Sequence, residues 1–560
     1  MVFFGRIKKQ YLLKSGNPLF KSFPDNQTES PVKTNCLPLL FALFAGGSTF
    51  ALPPTYNVRD YGATGLKRDN ATEAIAKALM AARTAGGGTV QVPPGDYTCL
   101  SIVLHDNITL QLDAGAVLYI DLPNPGFEAQ GFIYAERAKN IAIRGRGKID
   151  GQARYEWTDY RTDDVEIEKE VSIARKAGVE MKRSYRVGNS TFTLLFKECD
   201  GISIEDVTLE NSSLWCMRIW GSNHVNIRGV TILSDLKMGV NSDGIDLDGT
   251  SNAHISGCTI STGDDAICLK TGSWDFKDSG KSYPSENIIV DNCILTSSST
   301  ALMIGTETLS PIRHVIFTNC IIRDSNKGIG INVQDGATVS DVVFSNLTID
   351  LSRRHWNWWG DAEAFYFVLK KRTPSSVVGT IKNIVIDNVT AYAQGTSRIV
   401  STVEKPLENI RISDMRVFME PEATPDKRTA HAMRFSGVDG LALENIALHW
   451  NDTRPEQGWQ SGLVLEKVNG FEMRRVSARQ AHRNSALPAV SLTGCTNGMI
   501  TECTAQPGCG RFFSVAGNKT NGIVFHTNYL ENARIPLHLD GRLPKGAVSY
   551  RPFGMPNAGK

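Results

Sequence analysis

An all-β solenoid of stacked coils is the fold this sequence predicts, and three observations predict it. The first is a recurring phrase: a polar residue or Gly, a short Val/Ile alternation, a turn of Asn, Asp or Gly, and a second alternation. It reads GISIEDVTLEN at 201, HVNIRGVTIL at 224, AHISGCTI at 253, NIIVDNCIL at 287, HVIFTNCII at 314, NIVIDNVTA at 383 and GLALENIAL at 440. Period-2 strands bounded by turn residues expect alternate side chains inside and outside. The second is spacing: the phrase returns every twenty-odd to forty-odd residues, the longer gaps carrying loops such as SWDFKDSGKSYPSE. A period of that size means one supersecondary unit per repeat, which buries its apolar face only by stacking. The third is a single amphipathic helical stretch ahead of the repeats, apolar at helical spacing from Ala74 to Ala82 and stopped by Gly86 to Gly88. A helix there caps the open end of the stack, where core and strand edges would otherwise be bare.

Taken in order, residues 1–51 read as a leader. LPLLFALFA at 37–45, preceded by Lys33 and followed by small residues, has the form of a signal-peptide core, with cleavage expected after Ala51. A true start near Val32 would account for the polar residues ahead of it, and an uncleaved anchor is the alternative. The run is too short to span a membrane, no span is expected in the mature chain, and the protein is expected to be secreted or periplasmic. Residues 52–139 form the cap and first strands. Residues 140–535 form the solenoid proper, interrupted by a charged insertion at about 159–187 and an aromatic segment, RRHWNWWGDAEAFYF, at 353–367. Residues 536–560, rich in Pro and Gly, read as a tail that packs outside or frays.

Lys+Arg 60 against Asp+Glu 58 is a near balance, with no basic run, so nucleic acid is not an expected partner. Of the 11 Cys, Cys258, Cys293 and Cys320 occupy one position of successive repeats and read as a ladder of buried thiols. Cys503 and Cys509 are read either as a short disulfide or as two more thiols. No CxxC or HxH spacing suggests a metal site, and no cofactor is expected.

Chemistry concentrates in NSDGIDLDG at 241 and GDDAICLK at 263. Ile245 and Leu247 facing inward put Asp246 and Asp248 outward, and a register of 22 sets Asp243 beside Asp265, Ser242 beside Asp264 and Asp248 beside Lys270. Neighbouring strands lie about 4.8 Å apart. Asp243, Asp264 and Asp265 thus converge on one patch of the outer surface, with Lys270 offsetting part of their repulsion. Crowded carboxylates relieve that repulsion when one stays protonated. One protonated and one ionised carboxyl are what glycoside hydrolysis needs. The competing reading is that Asp simply populates solenoid turns.

These residues resemble a known family. NSDGID and GDDAICLK look like the NTDG and GDD-x-x-x-x-K segments of glycoside hydrolase family 28, the polygalacturonase-like enzymes of the pectin-lyase-like superfamily. RDYGATG, GGGTVQVPPGDY and IDGQ at 149 resemble the same family, over roughly residues 55 to 370. The resemblance implies a right-handed parallel β-helix and an inverting hydrolase of pectic, galacturonate-containing polysaccharide from the plant cell wall, expected as a monomer. Asp264 would be the general acid, and Asp243 and Asp265 would hold and deprotonate water.

The chain departs from the family pattern at two segments. Thr300 stands where GHG has its His, and Gly330 and Asn332 stand where RIK has Arg and Lys, as in a bacterial branch of the family. Lys327, stacking near Thr300, and Arg353 or Arg354 are candidate replacement cations, against the reading of each as a solvated charge. Glu307 and Asp335 are candidate hydroxyl binders, against the reading of both as polar turn residues, and Asn332 is a candidate substrate binder. Trp356, Trp358 and Trp359 are read either as a sugar platform or as pins for their loop. Two other functions fit the same fold: a polysaccharide lyase with Ca²⁺ held by the carboxylates, and a non-catalytic glycan-binding β-helix.

Overall fold

The structure is a computed structural model describing residues 54–123, 131–155, 157–159, 165–179, 185–186, 190–275, 280–354 and 359–551. The leader, with its signal-like run, lies outside the described residues. So do Trp356 and Trp358.

Parallel pairing links 39 strands into one sheet that winds on itself as a right-handed parallel β-helix. Each coil contributes up to three strands, and each strand pairs with its counterpart one coil on. The row that carries the site runs Met217–Trp220, Ile245–Asp248, Ile267–Thr271, Thr300–Thr308, Lys327–Val333 and Glu363–Leu369. The registers are Leu247↔Leu269, Leu269↔Ile304, Ile304↔Ile331 and Ile331↔Phe367. These inward side chains are all fully buried. Each such burial is worth about 1.5–3 kcal/mol, and the ladder holds neighbouring coils at one register, because a slip by one residue would turn every apolar side chain outward.

The polar residue or Gly that opens each phrase has a backbone cause. Asn140, His224, Asn252, Asn287, His314, Asp341, Asn383, Asn409 and Asn497 all take positive φ at this corner, as do Gly201, Gly440, Gly470 and Gly522. Asn, Asp and Gly bear the left-handed conformation at least cost. Stacked amides tie the corners together, Asn252 Nδ2 donating to Asn223 Oδ1 at 2.8 Å and Asn287 Nδ2 to Asn252 Oδ1 at 3.0 Å.

The cap helix is Thr72–Thr84, burying Ala74, Ile75, Ala78, Leu79 and Ala82, and Gly86, Gly87 and Gly88 follow with positive φ. A Cβ on Gly87 would lie 2.6 Å from Asn107 Cβ, so the chain turns there only as glycine. The insertion contains a helix, Val165–Lys176, and a small antiparallel pair, Thr158–Asp159 with Tyr185–Arg186. Coil pairing continues into the segment read as a tail: Ala533–Leu539 pairs with Cys509–Ala516, and Val548–Arg551 with Asn521–His526. Cys258, Cys293 and Cys320 stack as buried free thiols. Cys503 and Cys509 are also free and buried, which removes the disulfide reading; Cys503 Sγ reaches the Thr501 carbonyl instead. Among the described residues no helix is long and apolar enough to cross a membrane.

Candidate active site

Two turns deliver the three carboxylates. Asp243 sits on the turn before Ile245–Asp248, and Asp264 and Asp265 on the turn before Ile267–Thr271. The turns nest because Gly244 N donates to Asp265 O at 2.9 Å, and a Cβ on Gly244 would fall 2.3 Å from Ala266 O. Gly263 is held as closely, its Cβ position lying 2.2 Å from Gly239 O. The glycines of the two motifs are therefore steric requirements of bringing these carboxylates together.

One oxygen from each of Asp243, Asp264 and Asp265 lies within 4.8 Å of the others. Asp265 Oδ1 accepts from Ser299 Oγ at 2.8 Å and from Thr300 N at 2.9 Å, which aims the carboxylate from the next coil. Asp264 Oδ1 accepts the Asp265 N–H at 2.9 Å. Ser297 Oγ and Thr262 Oγ1 hold the Asp264 carbonyl. Asp243 Oδ2 is 3.6 Å from Lys270 Nζ, and its Oδ1 is buried without a hydrogen-bond partner.

The patch is not on an open surface, which corrects the sequence reading. Asp243, Asp264 and Asp265 are 2 %, 7 % and 7 % exposed, Lys270 is 5 % exposed, and the outward Asp246 and Asp248 are equally buried. Burial dominates the electrostatics that follow. It lifts Asp264 well above the usual carboxylate range, Asp243 and Asp265 adding to the effect. It pushes Asp243 up to about 7 against the pull of Lys270. Burial alone would lower Lys270, but Glu307, Asp243 and Asp246, at 3.4 to 3.6 Å, raise it well above its ordinary value. Burial opposes ionisation of Glu307, and Lys270 and Arg372 more than offset that. Burial thus raises the adjacent Asp264 and Asp243 together, an arrangement that acid–base chemistry can use.

Around the carboxylates is a cavity of about 240 Å³, lined also by Trp215, Thr300, Glu307, Lys327, Asn332 and Trp359. Of the expected binders, Lys270, Glu307, Asn332, Lys327 and Trp359 are brought to it. Lys327 is in register with Thr300, as read, and its Nζ donates to the Trp359 carbonyl at 2.6 Å. Asn332 Oδ1 is a buried acceptor without a hydrogen-bond partner, and Glu307 Oε2 faces Lys270 Nζ at 3.4 Å. Gly330 keeps the wall low, since a Cβ there would meet Met303 Sδ at 2.7 Å.

Three expected binders are elsewhere. Arg353 is buried in a separate cluster, bonded to Glu422 Oε2 at 2.6 Å and to Asp426 Oδ2 at 2.7 Å, so it is no replacement cation. Arg354 pairs with Asp324 at 2.6 Å. Asp335 is taken by Arg372 and the Thr308 N–H. Sequence reasoning passed over Ser299 and Trp215. Ser299 lies one coil beyond Asp264, so extending the register finds it; Trp215 precedes its strand, where periodicity carries no signal.

The family model for "Glycosyl hydrolases family 28" matches residues 85–431. A probable polygalacturonase of Vitis vinifera is 27% identical over 230 residues, 40% of this chain and 45% of that protein. An exo-poly-α-D-galacturonosidase of Dickeya chrysanthemi is 24% identical over 302 residues, 47% of this chain and 49% of that protein. The chain thus spans about half the length of the curated relatives it matches. Two exopolygalacturonase structures share the fold. That from Thermotoga maritima has a TM-score of 0.56 at 22% identity, covering 71% of this chain and 93% of its own. That from Yersinia enterocolitica has a TM-score of 0.50 at 16% identity, covering 88% and 79%.

Proposed function

The chain belongs to glycosyl hydrolase family 28, and from that premise we propose that it is an exported, inverting hydrolase of galacturonate-containing pectic polysaccharide, acting as a monomer. The observation that carries the reading is the convergence of Asp243, Asp264 and Asp265, all buried, on one cleft. Asp264 gives its proton to the glycosidic oxygen as the bond to the anomeric carbon breaks. Water adds its oxygen to that carbon and loses a proton to the Asp243 or Asp265 carboxylate. Oxygens within 4.8 Å of one another leave room for one water bonded to both. Stereochemistry is tested directly: proton NMR of the first-formed sugar should show the inverted anomer, and the retained anomer would remove this part of the reading.

Support for an acidic substrate comes from the cavity wall and the relatives. Lys327 is a buried cation whose ammonium is bonded to a carbonyl. Glu307 and Asn332 offer acceptors for sugar hydroxyls. The Vitis and Dickeya relatives are polygalacturonate-cleaving by name. Export rests on the leader's composition. The N-terminus of protein recovered outside the cytoplasm should begin at Leu52, and retention inside would oppose it.

The decisive test is reducing-end release from polygalacturonate, rhamnogalacturonan, xylogalacturonan and neutral glycans, with Asp264→Asn as control. The variant should lose about 10²–10⁴-fold in kcat, the range for a general acid, while keeping its fold. Silence of a folded wild-type protein across the panel, or an Asp264→Asn variant as active as wild type, would sink the hydrolase reading.

A further inference from the structure

Asp243, Asp264 and Asp265 carry the proposed chemistry, and Asp248 is closed on Arg218 at 2.7 Å. Asp246, on the same strand as Asp248, has no such bond. It is fully buried, and neither of its carboxylate oxygens takes part in a hydrogen bond. A buried polar group left in that state is costly and calls for a cause.

Its neighbours along the outward row are engaged elsewhere. Arg218, one coil before, donates to Asp248 and to the carbonyls of Ser273 and Trp274. Cys268, one coil on, donates its thiol to Gly305 O at 2.9 Å. What faces Asp246 is Lys270, its Nζ 3.6 Å from Oδ1.

Lys270 is shared. Its Nζ is also 3.6 Å from Asp243 Oδ2 and 3.4 Å from Glu307 Oε2, with the Trp215 ring 4.4 Å away. An ammonium has three N–H donors, and three carboxyl groups surround this one at nearly equal distance. Each contact is longer than the about 2.7–2.9 Å of a closed charge-assisted bond, so the balance of all three sets where the ammonium rests. Asp243 and Glu307 line the cavity, where sugar and water reach them; Asp246 does not.

We propose that Asp246 is a positioning residue of the active site, a neutral carboxyl whose oxygen holds the Lys270 ammonium back from Asp243, so that Asp243 stays basic enough to take a proton from water. The proposal rests on the hydrolase reading above with Asp243 as the base. Around Asp243 stand Asp264, Asp265, Glu307 and Lys270, and of these only Lys270 pulls its carboxyl down. Asp243 changes charge in each turnover and Glu307 meets the sugar, whereas Asp246 pulls on Lys270 alike throughout. Neutrality fits its surroundings: burial and Asp243 raise Asp246 well above the usual carboxylate range, Asp265 and Asp248 adding to this against Lys270.

The test follows kcat and kcat/KM against pH for the full chain, on whichever polysaccharide of the panel the wild type cuts. Asp246→Leu removes the facing oxygen at similar size. Lys270 should then lean onto Asp243, moving the acid limb of kcat/KM down by about one pH unit, the low end of the about 1–3 units by which an opposite charge shifts a carboxylate. The kcat near neutral pH should fall while KM hardly changes. Asp246→Asn keeps an oxygen facing Lys270 and should bring the limb back. A limb that stays in place in a folded Asp246→Leu, or that Asp246→Asn moves as far, would overturn the proposal; a purely structural role would lower the thermal midpoint and leave the limb alone.

Asp246→Ala replaces the leucine variant if thermal unfolding shows that the latter does not fold. A second arm repeats the exchanges in a Lys270→Met background, where Asp246 has nothing left to position. The limb should stay where Lys270→Met alone puts it, and a further shift would overturn the proposal. Absence of wild-type turnover on every substrate defeats the hydrolase reading instead, and the role of Asp246 with it.

Discussion

Two arginine–carboxylate pairs on the same outward strand row make an instructive contrast. Arg218–Asp248 and Arg434–Glu466 both close to 2.7 Å. The first is 1 % exposed on both sides and sits under Gly272, Ser273 and Trp274; the second is 43 % and 35 % exposed on bare coils. Backbone, row and pair distance are alike, and only the cover differs. What the cover changes is the energetic meaning of charge: under it, carboxylates shift, ammonium is trapped and a lost partner cannot be replaced by water. In the open it is a screened surface contact.

The largest expected effect breaks the two pairs separately. Arg218→Met leaves Asp248 buried and unpaired, at a cost of about 3–5 kcal/mol, whereas Arg434→Met should cost about 0–1 kcal/mol. Urea unfolding of both variants measures this, and equal costs would dissolve the contrast.

Next comes the pH profile. If Asp243 is the base that takes the proton from water, turnover needs it ionised, and burial pushes its carboxyl up to about 7 with Lys270 pulling it down. The wild-type kcat/KM should fall as pH drops below about 7, and Lys270→Met should move that limb to higher pH. A limb that stays in place would free Lys270 of this role.

Stability should move the opposite way. A buried carboxyl whose folded pKa is raised binds protons more tightly folded than unfolded, so its contribution is present at low pH and lost as pH rises through the folded value. For Asp243 the window runs from about 4 to about 7. The thermal midpoint should decline across it, and Asp243→Asn should flatten the decline; a steeper slope in the variant would contradict this.

The smallest expected effect concerns the thiols. The described cysteines from Cys99 to Cys509 are free, so a reductant should leave the thermal midpoint of the folded chain unchanged, and a drop would reveal a disulfide.

Reading the site from sequence succeeded where periodicity carried it. Register 22 was legible because Ile245 and Ile267 must both face inward, and it put Asp248 beside Lys270, as found. The same rule placed Thr300 beside Lys327. Asp335 and Arg353 went otherwise because their partners, Arg372 and the Glu422–Asp426 loop, lie outside the repeat. No spacing rule connects Arg353 to residues about seventy positions on.

The sequence by itself determined the coil, its inward row and the meeting of Asp243, Asp264 and Asp265, because strand alternation and stacking are local rules applied many times over. Only the tertiary structure decided that these charges are buried, that Lys270 serves three carboxylates and that loop residues cover Trp220. A loop's path is set by the contacts it finds, such as Trp274 and Tyr283 on Trp220, and no period announces them.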